Sequence, residues 1–549
     1  MNATAVHSLW TTAAEPIGRI PSPEIEYGQL APVLIVVGAA IVGILVEAFV
    51  PRRGRHYTQV FLSVVALASA FAAVVGLAAS GHATTKAGIA AMGAIAVDGP
   101  ALFLQGTILL ASIVAVFTFA ERRLDPADHG HRVDSFTAEA AAVPGSDQEK
   151  AAVKAGHTTT EVFPLALFAV SGMLVFPAAN DLLTLFIALE VFSLPLYLLC
   201  AVARRKRLMS QEAAVKYFLL GAFSSAFLLF GIALLYGYAG SVSYATIASV
   251  VDGSVGSVDP ALAATMGNDA LLLIGFAMVL TGLLFKVGAV PFHMWTPDVY
   301  QGAPTPVTGF MAAATKVAAF GAMLRILYVV LPGLTWDWRP VMWAVAIVTM
   351  LGGAIVAITQ TDIKRLLAYS SIAHAGFILA GVIAATPAGV SSVLFYLLAY
   401  SFVTIGAFAV VTLVRDAGGE ATHLSKWAGL GRRSPLVAAV FAVFLLAFAG
   451  IPLTSGFSGK FAVFKAAAEG GAGTLVVVGV VSSAIAAFFY IRVIVLMFFS
   501  EPKADGPTVA VPSALTMTTI GVGVAVTLVL GVAPQYFLDL AGQAGVFVR

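Results

Sequence analysis

The sequence predicts an all-α polytopic membrane protein, and its composition, its long apolar stretches and the few charges inside them support that prediction. Of the 549 residues, 60% are hydrophobic and 11% are charged, whereas roughly a quarter of the residues are charged in an ordinary soluble domain. The mean hydropathy of +0.95 would leave far too much apolar surface in water for a soluble chain of this length. A lipid bilayer is therefore the expected environment.

About fourteen stretches are apolar enough to cross a bilayer, whose hydrocarbon core needs about 20 helical residues. In chain order, the predicted segments 1 to 14 are 30–50, 58–80, 99–120, 162–178, 181–201, 213–238, 269–290, 304–331, 339–359, 365–384, 389–414, 435–467, 473–499 and 511–533. They are expected to form a single membrane domain over residues 1–549, which begins with three helices in 30–120 and ends with the helix at 511–533. Residues 121–160 mix both signs of charge with Gly, Pro, Ala and Ser, which indicates a mobile polar insertion.

The positions of the basic residues predict the orientation. The loops that follow segments 1, 3, 5, 9 and 11 contain most of the Lys and Arg, for example Arg204 to Arg207, and the alternate loops contain few. Cytoplasmic loops carry this excess in membrane proteins. Both termini are therefore predicted on the outer face, and the insertion at 121–160 on the cytoplasmic face.

Several function classes are disfavoured by composition. The single cysteine, Cys200, lies in an apolar segment, so this chain alone offers neither a disulfide framework nor a cysteine-ligated cluster. The nine histidines form no HxxxH or HExxH pair, so neither a metal site nor a redox cofactor of its own is expected. The net charge of +2 gives no indication of a nucleic-acid partner.

Ionisable residues inside the predicted spans are the candidate functional groups. A charge in hydrocarbon costs at least about 2.5–3.5 kcal/mol and normally faces a bundle interior or a hydrated cavity. Burial disfavours the charged form and a nearby opposite charge restores it, so such a group can take up and release a proton. Glu190 and Lys316 lie in the middle of segments 5 and 8, which favours function over a structural ion pair. Lys216 lies near a span end, where a side chain that reaches the interface is an equally good interpretation.

Segments 7 and 12 are predicted to be broken helices. Each is too long to cross once as a straight helix, and each contains Gly and Pro where backbone hydrogen bonds would be lost. Broken helices at matching places in two halves indicate a transport site between inverted repeats, here 162–331 (segments 4–8) and 339–499 (segments 9–13). Lys286 and Lys460 lie beside the two breaks, where freed carbonyl groups and water would solvate an ammonium.

Two histidines are further candidates for a proton relay, because histidine titrates nearest to physiological pH. His293 follows Lys286 by seven residues and shares a helix face with it if the break is small, whereas His374 is in the middle of segment 10. For both, a hydrogen-bonded packing role is the open alternative. Three cations nearer to span ends are interpreted as structural: Arg325, Lys465 and Arg492.

Three runs resemble the antiporter-like membrane subunits of respiratory complex I. They are FKVGAVPFHMWTPDVYQGAPTPV at 285–307, DIKRLLAYSSIAHAG at 362–376 and GIPLTSGFSGKF at 450–461, and the resemblance extends over roughly residues 30–540. It implies fourteen helices, two inverted five-helix repeats (helices 4–8 and 9–13) and a hydrophilic axis along the membrane midplane. The family's key residues fall on Glu190, Lys216, Lys286, Lys316 and Lys460, and His293 matches the histidine that follows the seventh-helix lysine.

Two features separate the chain from particular members of that family. Lysine at position 460 argues against the kind of subunit that has glutamate there. The end of the chain soon after segment 14 argues against the kind with a long lateral helix. The insertion at 121–160 departs from the compact pattern of the family.

The resemblance implies a proton-translocating membrane subunit of a bacterial cell membrane. Electrons would pass from NADH through FMN and iron–sulfur clusters to quinone in partner subunits, both membrane and peripheral, and no cofactor is expected in this chain. A change in the Glu190–Lys216 interaction would alter the charge state of Lys286, and protons would then pass through Lys316 to Lys460. A subunit of a free-standing Na⁺/H⁺ antiporter would use the same charges, and a bundle with static ion pairs is the structural alternative.

Overall fold

The computed structural model describes residues 23, 25–124, 133–253, 269–416, 419–502 and 506–548, most of which are helical. The α-helices are α1 Tyr27–Phe49, α2 Arg52–Leu77, α3 Gly99–Phe119, α4 Asp147–Lys154, α5 Val162–Val175, α6 Leu182–Cys200, α7 Arg207–Ala239, α8 Tyr244–Val251, α9 Asp269–Val287, α10 Trp295–Gly302, α11 Thr305–Phe310, α12 Lys316–Arg325, α13 Thr335–Ile358, α14 Ile363–Ile383, α15 Pro387–Leu413, α16 Leu430–Arg433, α17 Pro435–Ala449, α18 Ser455–Glu469, α19 Gly473–Phe499, α20 Ala514–Val532 and α21 Gln535–Gln543. Short antiparallel strands pair as β1 Gly88–Ala90 with β2 Ile95–Val97, and as β3 Val414–Asp416 with both β4 Gly419–Glu420 and β5 Thr508–Val509.

The chain is a multi-pass membrane protein. Within the described residues, twelve helical stretches are long and apolar enough to cross a bilayer, and they coincide with every predicted segment except 4 and 12. Segment 4 is the shorter apolar helix Val162–Ala178. Segment 12 is divided into α17 and α18, neither of which is long enough alone to cross the hydrocarbon core.

Three spans lie in the centre of the bundle and are enclosed by the others. In Thr305–Val330, Ile363–Ile383 and Pro387–Leu413, 94% of the most apolar stretch is buried inside the chain, against 28% in Ala514–Val532. A helix that is apolar on every side belongs in such a core. The central spans carry Lys316 and His374, and so keep both side chains away from lipid.

Both predicted helix breaks are present. Helix α9 ends at Val287, where Gly288 adopts φ +74°, and the chain turns before α10 begins at Trp295. Helix α17 ends at Ala449, where Gly450 adopts φ +82°. A positive φ is the left-handed region that glycine enters without steric cost, so a glycine at each break permits the helix to stop and the chain to change direction.

The break corrects the expectation for His293. The seven-residue spacing from Lys286 would place the two side chains on one face only if the helix continued. Instead, 288–294 form a turn between α9 and α10. His293 therefore lies in the break and not on the helical face of Lys286.

The described part of the insertion, 133–160, packs against the membrane helices, which differs from the mobile segment expected from composition. Asp134 pairs with Arg204 at 3.1 Å, and Glu149 pairs with Arg207 at 2.9 Å. Phe136 is buried at 1% exposure. Charges that composition assigned to a solvated loop are thus used to fix the beginning of α7.

A buried ion pair joins the N-terminal helices to the first half of the bundle. Arg325 donates to both carboxylate oxygens of Asp98, at 2.9 and 2.7 Å, and its Nε donates to the Pro177 carbonyl at 2.8 Å. Asp98 also accepts the backbone N–H of Ala101 and of Val548, each at 3.0 Å. Arg325 is therefore fully paired, which agrees with its interpretation as structural.

Candidate functional site

Lys286 lies in an aromatic box in the last turn of α9. Its Nζ donates to Ser193 Oγ at 2.7 Å and lies 5.2, 5.6 and 5.3 Å from the ring centres of Phe192, Tyr197 and Tyr217. Aromatic faces attract a cation electrostatically, more strongly when water is excluded, and Lys286 is 3% exposed. The ammonium is thus held mainly by rings and by one hydroxyl group.

Glu190 belongs to the same face of α6 as Ser193, because residues three apart are neighbours on a helix. One of its carboxylate oxygens, Oε1, is buried and has no hydrogen-bond partner among the described residues. The expected contact between Glu190 and Lys216 is absent in this conformation. The carboxylate therefore faces the region of Lys286 with acceptor capacity to spare.

Lys216 is paired with two other carboxylates. Its Nζ lies 2.9 Å from Asp298 Oδ2 and 2.7 Å from Glu212 Oε1, and 43% of its side chain is exposed. Asp298 in turn accepts a hydrogen bond from Arg365 at 2.6 Å, so α7, α10 and α14 meet in one ion network. Asp298 was missed at the sequence level because it follows the break, in a run that gave no indication of how the chain folds back.

Lys316 binds two backbone carbonyl groups in the centre of the chain. Its Nζ donates to Val287 O at 3.1 Å and to Ser371 O at 2.6 Å. The Val287 carbonyl is free because α9 ends there and supplies no N–H four residues later. Lys316 is 3% exposed and follows the π-helical turn Met311–Thr315. The break beside Lys286 thus supplies an acceptor for Lys316.

His374 lies between Lys316 and the second break. Its Nδ1 is 2.7 Å from the Tyr396 hydroxyl, and its Nε2 is 3.4 Å from the Tyr490 hydroxyl. A phenol group can donate or accept, so either neutral tautomer of His374 is satisfied. The Tyr400 ring lies 5.8 Å from Lys316 Nζ and 5.2 Å, centre to centre, from the His374 ring. Aromatic and hydroxyl groups therefore connect the two residues.

Lys460 closes the second break. Its Nζ donates to Phe448 O at 2.9 Å, to Ala449 O at 3.0 Å and to Ser483 Oγ at 2.8 Å. These carbonyl groups are the last of α17, where the helix dipole favours a positive charge. Lys460 is 5% exposed. Three neutral oxygens thus solvate this ammonium in place of water.

The seven predicted site residues are only partly brought together. Lys286, Lys316, His374 and Lys460 form a line through the centre of the chain, whereas His293 is half-buried in the first break, with Nδ1 unpartnered among the described residues. In the part of the chain that the structure describes, no carboxylate forms a salt bridge with any of the three lysines. Such a line can hold protons on nitrogen and exchange them through hydroxyl groups and water.

Residues 179–486 match the model of one protein family, described as NADH:quinone oxidoreductase/Mrp antiporter, TM. The matched region contains all seven predicted site residues. The chain belongs to this family of antiporter-like membrane subunits, which confirms the resemblance found in its motifs.

Curated relatives narrow the assignment within the family. A Streptomyces griseus protein named NADH-quinone oxidoreductase subunit N 3 is 85% identical and covers 100% of both chains. Two further relatives are named NADH-quinone oxidoreductase subunit N. The protein from Rhodococcus opacus is 64% identical over 96% of this chain and 98% of its own length. The protein from Mycobacterium tuberculosis is 58% identical over 96% of this chain and 100% of its own length. The wording WTPDVYQGAP at 295–304 predicts the N kind of subunit, and the names of these relatives confirm that prediction.

Solved structures share the fold. A chain of respiratory complex I from Thermus thermophilus is 30% identical, with a TM-score of 0.71 over 93% of this chain and 99% of that chain. A chain of the Mrp complex from Dietzia aligns with a TM-score of 0.75 over 94% and 97% at 22% identity. The second likeness is one of fold alone.

Proposed function

We propose that the chain is the N-type proton-translocating membrane subunit of an NADH-quinone oxidoreductase in a bacterial cell membrane. The names of relatives that match it over its full length support this proposal. Electron transfer from NADH to quinone belongs to partner subunits, both membrane and peripheral, which carry FMN, iron–sulfur clusters and quinone. This chain contributes the proton path and no redox centre.

The proposal includes fourteen crossings, with both termini on the outer face. Twelve of the crossings are the long apolar helices, and the other two are segments 4 and 12. The glycine breaks at Gly288 and Gly450 support a pair of inverted repeats, 162–331 and 339–499, because each break lies in a corresponding helix of its half. The basic loops support the orientation.

The single observation that carries the mechanism is the line of three lysines whose nitrogens bind only uncharged oxygens and aromatic faces. A protonated lysine in this setting is stabilised by carbonyl and hydroxyl acceptors, and a neutral lysine can still donate to them. Each position can therefore exist in either state without a rearrangement of the backbone. Protons would pass from Lys286 by way of Lys316 and His374 to Lys460, with water between them.

The entry of the path is proposed to switch between two pairings of Lys216. In the described conformation Lys216 is held by Asp298 and Glu212, while Glu190 has an unpartnered oxygen. If Lys216 moved to Glu190, it would remove the negative charge that favours a proton on Lys286, because opposite charges stabilise each other's ionised form. Arg365 would remain to hold Asp298. A signal from the partner subunits would thus change the charge state of Lys286.

The test is proton pumping and NADH-driven quinone reduction in the assembled complex. Lys286→Met should reduce pumping and coupled turnover at least about tenfold, since proton-transfer groups typically contribute ~10²–10⁴ in rate, and Glu190→Gln should reduce both by a smaller factor. Asp298→Asn should alter the response to the driving force because it leaves Lys216 held by Glu212 alone of its two carboxylate partners. Lys465→Met is the matched control, because that lysine is 64% exposed and its salt bridge among the described residues is with Glu469.

The outcomes separate the alternatives. Full pumping in both Lys286→Met and Glu190→Gln would overturn the relay. A bundle with static charges predicts lost assembly in these variants, with normal pumping by whatever complex remains. A free-standing Na⁺/H⁺ antiporter predicts that the protein purifies from gently solubilised membranes without flavin-bearing subunits.

A further inference from the structure

A groove outside the lysine line opens between α2, the end of α3 and the beginning of α20. We call this cavity of about 620 Å³ the α2 groove; it is lined by His56, Tyr57, Val60, Phe61, Val64, Phe117, Ala120, Arg122, Arg123, Ser513 and Leu515. It lies where α2 begins, α3 has just ended and α20 is about to begin. These ends mark the boundary between membrane and water.

One wall of the α2 groove is apolar and faces outward. Tyr57, Phe61 and Val64 are spaced four and three residues apart, so they share one face of α2. Tyr57 is 59% exposed and Phe61 is 71% exposed. Seven helical residues extend about 10 Å, which makes the wall long enough for the upper part of an acyl chain.

The rim of the α2 groove is basic. Arg122 and Arg123 directly follow α3, and their backbone N–H groups bind Glu121 Oε1 at 2.9 and 2.8 Å. The other oxygen of Glu121 accepts the N–H of Ser513 at 2.7 Å. The buried carboxylate of Glu121 is thus used by three backbone amides, and buried Asp134, which lies near Arg122, pairs with Arg204. The side chain of Arg123 is exposed and forms no ion pair with the described residues.

A second cavity, with more arginines than acids, adjoins this rim. It has a volume of about 990 Å³, shares Arg122 with the α2 groove, and is also lined by three further arginines and two acids: Arg52, Arg53, Arg55, Glu139 and Glu161. Arg55 is paired with Glu47 at 3.5 Å, and Arg52 binds the His157 ring at 2.9 Å. Arg53 is exposed at the beginning of α2. Positive charge therefore accumulates on both sides of Arg122.

We propose that the α2 groove binds an anionic phospholipid from the bilayer. The phosphate lies at the rim formed by Arg122 and Arg123, and one acyl chain runs along Tyr57, Phe61 and Val64. A guanidinium group can donate two parallel hydrogen bonds to a phosphate group. Aromatic residues favour the membrane–water interface, and basic clusters beside a membrane span attract anionic lipids. A free phosphate ion would leave the apolar wall uncovered, and an apolar partner helix would leave the exposed guanidinium of Arg123 without an anion.

Binding of labelled lipids to the intact, delipidated complex tests the proposal. Phosphatidylglycerol should bind more tightly than phosphatidylcholine, and its binding should weaken at high salt. Arg123→Gln should weaken the binding of phosphatidylglycerol about fivefold, the effect expected for one basic residue at a membrane surface. The same variant should leave the binding of phosphatidylcholine unchanged. Lys154→Gln is the matched control, since Lys154 is an exposed basic residue of the same region that does not line the α2 groove.

A photo-reactive residue placed at Phe61 in the intact complex identifies what covers the wall. A crosslink to phospholipid supports the proposal, and a crosslink to a neighbouring subunit overturns it. Equal binding of the two lipids, or an Arg123→Gln variant with unchanged phosphatidylglycerol binding, overturns it as well. Competition by inorganic phosphate without any dependence on the acyl chain would assign the rim to a free anion and would also overturn the lipid assignment.

Discussion

The two helix breaks look alike in the backbone and differ in how their carbonyl groups are satisfied. At the first break, Trp295 Nε1 donates to Phe285 O at 2.8 Å, and Lys316 Nζ donates to Val287 O at 3.1 Å. At the second break, Lys460 binds both Phe448 O and Ala449 O, and Ser483 Oγ donates to Ala449 O at 3.4 Å. The first break is therefore closed without the lysine beside it, and the second mainly by the lysine beside it.

At the first break, the lysine beside the break and the groups that close the break are different residues. At the second break, one lysine is both. Lys286 lies beside the first break but binds Ser193 and aromatic rings instead of the freed carbonyl groups. Its loss would remove a charge and leave the break closed. Lys460 is both a buried charge and the donor to the freed carbonyl groups, so its loss would remove the charge together with a donor to each of two buried acceptors.

The largest expected effect is therefore that of Lys460→Met. An unsatisfied buried acceptor costs about 1–3 kcal/mol, and this variant removes the lysine donor of two buried carbonyl groups, so the assembled complex should lose both thermal stability and pumping. Lys286→Met should lose pumping to a similar extent with little change in stability. The measurements are thermal unfolding of the purified complex and pumping in vesicles, with Lys465→Met as the control on the same helix as Lys460. Equal stability of the Lys460→Met and Lys286→Met complexes would contradict the comparison.

A smaller effect should follow from alanine at the two glycines. A left-handed residue with a side chain costs roughly 1–2 kcal/mol, which applies to both Gly288→Ala and Gly450→Ala. At Gly450, the added Cβ would also lie 2.9 Å from Lys460 Cδ and 3.2 Å from its Nζ, whereas at Gly288 it would meet only Thr296 Oγ1 at 3.0 Å.

Gly450→Ala should therefore lower pumping in addition to stability, whereas Gly288→Ala should mainly lower stability. Thermal unfolding and pumping of the two variants in parallel measure this. Gly473→Ala is the control, because a Cβ there meets nothing within 4 Å. A larger loss of pumping from Gly288→Ala than from Gly450→Ala would show that the first break is the more sensitive one.

The smallest expected effect concerns a contact between the two halves. Glu420 accepts from Thr305 at 2.5 Å and lies 3.4 Å from Lys364 Nζ. Burial alone would raise the pKa of Glu420, but the positive charges of Lys364 and Arg415, together with the Thr305 hydroxyl, outweigh it and hold the pKa below its ordinary value. A lowered carboxyl pKa contributes stability above the unfolded-state pKa of about 4.3, and this contribution is lost as the pH falls through the folded-state pKa.

Glu420→Gln should accordingly lower the midpoint of thermal unfolding by a few degrees at neutral pH, and the gap from the unsubstituted complex should close as the pH falls below about 4.3. The exposed Glu501, changed to Gln, serves as the control. A gap that persists unchanged at low pH would mean that Glu420 acts through packing and not through its charge.

The burial of the lysines could be predicted because a lysine in the middle of an apolar run cannot easily reach water. Lys286, Lys316 and Lys460 are each at most 5% exposed. Their acceptors could not be predicted. The carbonyl groups of Val287 and Ser371 become available through a helix end and a tertiary crossing, neither of which appears in residue spacing.

Contacts between residues far apart in the chain were the main limit on what could be predicted from the sequence. Asp298 meets Arg365, 67 residues later, and Asp98 meets Arg325, 227 residues later. The sequence singles out neither acid, because the neighbours of each in sequence give no sign of a partner. The position of His293 has a different explanation: a face shared with Lys286 required a small break, and α9 stops at Val287.

The ion pair of Asp98 and Arg325 also has a consequence for biosynthesis. At about 5–20 residues per second, the 227 residues between them take roughly 10 to 45 s to leave the ribosome. Until then the Asp98 carboxylate lacks its guanidinium partner, and a buried charge without a partner is costly. The amide of Val548, which donates to Asp98 at 3.0 Å, arrives later still. The N-terminal helices, although made first, therefore gain this link to the bundle only after α12 has been made.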